Sequence, residues 1–274
     1  MVLNIKSFFH LVAKSILLGA FAYAPAAFSD IIIGGTGNAL GTMQALVKGY
    51  QQENPTANIT VLPSIGSSGA IKAVPKGIVD IGLSARPLKK SESQLGIVAI
   101  EYARTPTVIA VSNYSNVHDI SLTSLADIYA GKQQYWEDGT LIRPIIRQAN
   151  DDNTKQLKQL SPDLKDAINI AESRAGLLFA STDQEAVDKI ESTPGSFGVT
   201  SLALILSEKR DIHALSLNGI KPTPEACIAG TYPIIKHFYF ILQQDVSTEV
   251  ALFLNFVKSE SGKVILETNG NYTP

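Results

Sequence analysis

Cysteine, histidine and methionine are scarce in this chain: one, four and two among 274 residues. The lone Cys227 excludes an internal disulfide, and the four scattered histidines have no ligand spacing for zinc, so no metal centre is expected. A lone cysteine reads as a small core residue. Positive charge is not in surplus either, with Lys+Arg 23 against Asp+Glu 25. That balance excludes a basic track for nucleic acid or for an anionic membrane surface. There is no G-x-S-x-G elbow and no histidine at triad spacing, which leaves hydrolase chemistry without a nucleophile and its base. Internal repeats and low-complexity tracts are absent as well.

What is present is apolar. A hydrophobic content of 45% over this length supplies a core for one large domain or two lobes. The first 29 residues form a different kind of segment. Lys6 and Lys14 give a positive start, Ile16 to Tyr23 an apolar run too short to span a bilayer, and Ala27-Phe28-Ser29 a small-x-small cleavage site. This predicts a cleavable signal peptide over 1–29, with the mature chain beginning near Asp30. No cysteine follows the apolar run, so a lipoprotein anchor is not expected and the destination is the periplasm.

The stretch from Ile65 to Lys89, IGSSGAIKAVPKGIVDIGLSARPLK, carries the most information. Two polar turns, Gly66-Ser67-Ser68-Gly69 and Ser84-Ala85-Arg86-Pro87, follow apolar runs at Ile59 to Leu62 and Ile78 to Leu83. Both turns therefore sit at carboxyl ends of strands, where open α/β sheets bind ligands. Glycines allow close backbone approach, serines add hydroxyls, and the following helix offers unpaired N–H groups, a combination suited to an anion. The design recurs at Ile31-Ile32-Ile33, then Gly34-Gly35-Thr36-Gly37, then a helix from Asn38 to Tyr50. A third junction joins Ile142 to Arg147 with Asp151-Asp152-Asn153-Thr154 and a helix over Lys155 to Leu160, capped by one of those polar residues.

Further along, Val98 to Ser112 reads as an extended segment broken at Pro106. Helices are expected at Thr123 to Gly131, Gln184 to Glu191 and Val246 to Lys258, and strands at Phe197 to Val199, Ala214 to Leu217 and Tyr232 to Leu242. Strands alternating with helices predict an α/β fold, a mostly parallel sheet with helices on both faces.

IGSSGAIKAV, VDIGLSARPLK, LNGIKPTPE, TYPIIKHFYF and SESGKVILETNGNYTP, in this order behind a signal peptide, resemble the phosphate-binding protein family of bacterial ABC importers. The resemblance covers nearly all of the mature chain. It implies a type II periplasmic binding protein fold, two α/β lobes joined by a two-strand hinge. Lobe I takes 30–111 and 230–274 and lobe II takes 112–229, with crossings near Val111 and Gly230. It also implies a monomer that captures inorganic phosphate or a similar oxyanion and delivers it to an ABC permease in the inner membrane, without cofactor, metal or catalysis.

Carried over residue by residue, the resemblance implies a ligand set of Thr36, Gly37, Asn38 and Ala39 from the first loop, and Ser67, Ser68 and Gly69 from the second. Ser84 and Arg86 come from the turn after the next strand, with Arg147, Asp151, Asn153 and Thr154 from the third junction. Ala39 stands where the family has threonine, leaving backbone donors there. Asp151-Asp152-Asn153 replaces the family's Ser-Gly-Thr, and Ala85 replaces a carboxylate that accepts a proton from phosphate. Asp151 or Asp152 is expected to cap its helix and pair with Arg86 or Arg147, leaving Asn153 and Thr154 for the ligand; otherwise the cleft is tuned to another guest.

Bland roles compete for several of these residues. Ser67 and Ser68 could serve as caps only, and Arg86 as a surface ion-pair partner. Trp136 reads as a packed turn residue, and His213 and His237 as ordinary structural histidines. Two other functions stand beside the first: a sensory or transport binding protein for a different small anionic or zwitterionic ligand, and, more distantly, an exported dinucleotide-binding oxidoreductase. Gly35, Gly37 and Gly41 are spaced one residue too widely for the dinucleotide fingerprint, and the second strand ends in Pro63-Ser64 where an acid is needed.

Overall fold

Ile31, Ile33 and the two glycines that follow are buried in a strand covered on both faces, the environment of a parallel sheet with helices above and below. The computed structural model describes residues 30–274; the signal peptide expected over 1–29 lies outside them. In chain order the elements begin with β1 (Ile31–Gly35), α1 (Gly37–Glu53), β2 (Ile59–Val61), α2 (Gly66–Ala73), β3 (Ile81–Ser84), β4 (Ile97–Ser112), β5 (Asp119–Ile120) and α3 (Leu122–Ala130). Next come β6 (Arg143–Ile146), α4 (Asp152–Lys158), α5 (Pro162–Ser173), β7 (Leu178–Phe179), α6 (Asp183–Ser192), β8 (Ser196–Ser201) and α7 (Leu202–Ser207). The chain closes with β9 (Ile212–Ala214), β10 (Ser216–Leu217), α8 (Pro224–Ile228), β11 (Ile235–Gln243), α9 (Thr248–Lys258) and α10 (Glu260–Thr268). No helix among the described residues is long and apolar enough to cross a membrane.

The main sheet runs β2-β1-β3-β11-β4-β8-β6-β7, with β9 also paired to β4. β2, β1 and β3 are parallel, as are β8, β6 and β7. Between these blocks lie β11 and β4, antiparallel to each other and to their outer neighbours. The sheet is thus two parallel blocks joined by an antiparallel pair.

β4 is one unbroken strand, where a break at Pro106 was expected. Its partner changes there: Ile97 to Pro106 pair with β11, and Thr107 to Val111 pair with β8. Proline has no N–H to donate, so its place at the exchange of partners spares the ladder, and Thr107 resumes donation by bonding Ile234 O at 3.0 Å. Two other expectations are corrected. β3 begins at Ile81 instead of Ile78, because Gly77, at φ +65°, closes a preceding turn and leaves Ile78 exposed. Ala214 to Leu217 is two short strands in different sheets, since the chain leaves β4 after Ala214 and pairs with β5 from Ser216.

Separate cores lie on either side of the antiparallel pair. α1, α9 and strands β1, β3 and β11 bury Met43, Leu46, Ile81, Phe240 and Phe253 together. On the opposite face α2 adds Ile71, and the turn after it Val74, against Ile97 and Ile241. Beyond the exchange, α3 and α5 pack Leu125, Ile128, Leu164 and Ile168 around Phe197, and α6 and α7 pack Val187, Ile190 and Leu204 against Val108 and Ala110. Trp136 belongs to this second region, edge-on to Phe197 with Nε1 donating to Gly195 O. Cys227 is buried as well, and burial pushes its thiol up to about 11.

Candidate functional site

Hydroxyl caps close most helix N-termini in this fold. Ser121, Ser161, Thr182, Ser201, Thr223, Ser247 and Ser259 each accept a backbone N–H of the helix they precede, and Asp151 does the same for α4. Two helices differ. Neither Thr36 before α1 nor Ile65 before α2 caps its helix through a side chain. Thr36 and Asn38 at the start of α1 and Ile65 to Ser68 at the start of α2 line one cleft of about 400 Å³, within the roughly 300–1,000 Å³ common for small-ligand sites.

Four βα junctions line this cleft. Thr36 and Asn38 come from the first, Ser64 to Ser68 from the second, Arg147, Gln148, Asn150 to Asn153 and Lys155 from the third, and Ser181-Thr182-Asp183 from the fourth, with Ala85 and Arg86 alongside. Of the residues expected from sequence, Thr36, Asn38, Ser67, Ser68, Arg86, Arg147, Asp151 and Asn153 are brought together here. Five do not line it. Gly37 is covered by Asp183 and Gln184, so closely that a Cβ there would lie 2.4 Å from Gln184 Oε1. Ala39 faces the first core, and its N–H is taken by Thr36 O. Gly69 sits a turn further along α2, against Ile65. Ser84 is buried and its hydroxyl is spent on Arg86 O and Arg86 N, which shapes the turn. Thr154 faces a separate pocket of about 20 Å³ behind Arg147.

The two arginines have different settings. Arg86 makes a two-pronged pair with Glu92, at 2.7 and 2.8 Å, and a further bond to Ser68 Oγ at 3.2 Å. Those hydrogen bonds hold the Glu92 carboxyl down at about 2. Arg86 therefore acts as a strut behind the serine loop. Ser67 completes that support by accepting Ala85 N–H at 2.9 Å, a bond that leaves its own hydroxyl proton free to donate.

Arg147 is buried, and its Nη2 donates both to Asp151 Oδ2 at 2.8 Å and to Asp183 Oδ1 at 3.1 Å. Its Nε and Nη1 have no acceptor among the described residues. Asp151 thus both caps α4 and pairs with Arg147, while Asp152 takes Lys236 Nζ at 2.6 Å. Lys236, fully buried on β11, has its charge matched there.

Sequence reasoning missed Asp183. Its Oδ2 accepts Asn38 N–H at 3.1 Å, and its Oδ1 accepts Arg147 and, at 3.4 Å, Asn153 Nδ2. Burial raises this carboxyl above the ordinary range, and the charge of Arg147 works against that rise. Gln184, next to it, donates to Gly37 O at 3.0 Å and Glu208 Oε1 at 2.8 Å. A signal was available: Thr182-Asp183-Gln184-Glu185 has the T-x-x-E spacing of a capping box, which marks a fourth helix start. Glu185 instead reaches Ser181 N and Oγ, at 2.7 and 2.6 Å.

Comparison with known proteins gives consistent results. The PBP superfamily domain matches residues 22–261. The phosphate-binding protein PstS of Bacillus subtilis (strain 168) is 27% identical over 252 residues, covering 90% of this chain and 81% of its own. Among solved structures, a protein from Clostridium perfringens assigned as a phosphate ABC transporter substrate-binding protein, with bound phosphate, has a TM-score of 0.75 at 20% identity. It covers 90% of this chain and 100% of that one. An ABC-type phosphate transport receptor from Vibrio cholerae has a TM-score of 0.62 at 22% identity, covering 89% and 100%. Identities this low make the structural likeness a statement about fold.

Proposed function

The chain belongs to the PBP superfamily, and from that premise we propose that it is an exported solute-binding protein that captures phosphate and delivers it to an ABC importer. One observation carries the anion reading. A carboxylate already sits among the donors of the cleft, held by a helix N-terminal amide, a buried guanidinium and an amide side chain. Donors that hold one oxyanion suit another, and each bond to a charged acceptor is worth about 1.5–3 kcal/mol. The name of the Bacillus subtilis relative supports phosphate as the guest. On this reading Asn38, Ser67, Ser68, Arg147 and Asn153 hold the ligand without metal, cofactor or catalysis.

Lobe I, 30–111 with 230–274, and lobe II, 112–229, close on the guest by bending at the β4–β11 pair, where β4 passes from β11 to β8. The protein works as a periplasmic monomer, and its partner is a permease in the inner membrane.

A second reading, a zwitterionic or different anionic guest, is favoured by one feature: Asp151, Asp152 and Asp183 all reach the cleft, which suits a ligand that brings its own donor. Calorimetric titration with phosphate, sulfate, molybdate and a neutral amino acid separates the two. The expected outcome is saturable one-to-one binding of phosphate. Binding of the amino acid alone establishes the second reading.

A further inference from the structure

Asp183 occupies the place in which a bound anion is expected. Its two oxygens engage donors from both sides of the strand exchange. Asn38 N–H belongs to α1, packed in the first core, whereas Arg147 and Asn153 flank β6 and α4 in the second region. The residue is only 6% exposed, and it lines the cleft from a helix, α6, that is already capped by Thr182, whose hydroxyl accepts Glu185 N–H. Its side chain is therefore not required to cap the helix it stands on. It caps another one, α1, whose preceding residue provides no side-chain cap. The approach is close, since a Cβ on Gly37 would lie 2.9 Å from Asp183 Oδ2.

We propose that Asp183 is the residue that sets the affinity and selectivity of the cleft: its carboxylate is a tethered occupant of the anion seat, which a guest must displace. Two consequences follow. First, the tether holds the two sides together when no guest is bound, because one carboxylate bonds α1 and Arg147 at once. Second, a guest succeeds only if it offers more charge or more acceptor oxygens than a carboxylate, so a tetrahedral dianion displaces Asp183 and a simple monocarboxylate does not. This rests on the anion-binding reading above and adds the residue that tunes it.

The test compares the parent with Asp183→Ala and Asp183→Asn, by phosphate titration and by small-angle scattering with and without phosphate. Removing the carboxylate is expected to tighten phosphate binding tenfold or more. It should also expand the ligand-free protein, with phosphate restoring the parent dimensions. Asparagine keeps an acceptor for Asn38 N–H but loses the charge opposite Arg147, so it should fall between the two, and its melting curve shows whether the fold survives.

Acetate supplies a third readout. It should compact the alanine variant and compete there with phosphate, while leaving the parent unchanged. An alanine variant that binds phosphate no more tightly than the parent, or that keeps the parent's dimensions without ligand, overturns the proposal while leaving the phosphate reading intact. If no variant binds phosphate but the alanine variant expands and acetate compacts it, the tether stands and the phosphate reading falls.

Discussion

The N-terminal ends of α1 and α2 face the same cleft, and neither is capped by its own side chain. They nevertheless differ in state. At α1 the amide of Asn38 is taken by Asp183, a residue 145 positions away. At α2 the serine loop is braced from behind, by Ala85 N–H on Ser67 and by Arg86 on Ser68, and its front remains open. On the proposed reading, a helix end is reserved for a ligand in two ways, by leaving it empty or by filling it with something displaceable.

The difference is broken most severely at the occupied end. Arg147→Ala leaves the buried Asp183 and the half-buried Asp151 without their cation, and removing one partner of a buried pair costs about 3–5 kcal/mol. Urea denaturation should show that loss, and calorimetry should show phosphate affinity weakened by about 2 kcal/mol or more. Unchanged phosphate affinity in this variant sinks the assignment of Arg147 to the site.

At the open end the effect should be smaller. Ser67→Ala removes a free hydroxyl donor and is expected to weaken phosphate binding by about 1–2 kcal/mol. It also orphans Ala85 N–H, so a fall in melting temperature should accompany it.

The smallest effect concerns the brace itself. The Glu92 carboxyl is held at about 2 in the fold, against an ordinary value of 4.5. A depressed carboxylate contributes stability that is present above the unfolded value and is lost as pH falls through the folded one. The Arg86–Glu92 pair should therefore help fully above about pH 4.5 and fade towards pH 2. Partial exposure keeps this below about 1 kcal/mol. Glu92→Gln should flatten that acid slope in a pH series of melting curves while leaving phosphate affinity nearly unchanged.

Much of the open end was legible in the sequence. Gly66-Ser67-Ser68 between an apolar run and a helix places glycine and hydroxyls at a strand's carboxyl end, and that loop does line the cleft. Asp151 as cap and partner of Arg147 was also within reach, because both contacts are local. The occupied end was not legible. Asp183 follows a helix-capping threonine, where an acid is ordinary first-turn chemistry, and nothing local indicates that its carboxylate turns towards a distant helix. Lys236 was hidden for a similar reason, as one cation in an apolar strand whose partner comes from another element. Pro106 misled in the opposite sense: proline signals interruption, and only the partner exchange explains why the strand runs on.

Gln156 on α4 accepts Thr107 Oγ1 at 2.6 Å and donates to Ile235 O at 3.1 Å, touching both central strands where β4 changes neighbours and β11 begins. On the two-lobe reading proposed above, one amide side chain straddles the fulcrum, on the same short helix whose first residues stand in the cleft. On that reading, flexing there is geared to the wall that carries Asn153, so grip and swing would be a single movement.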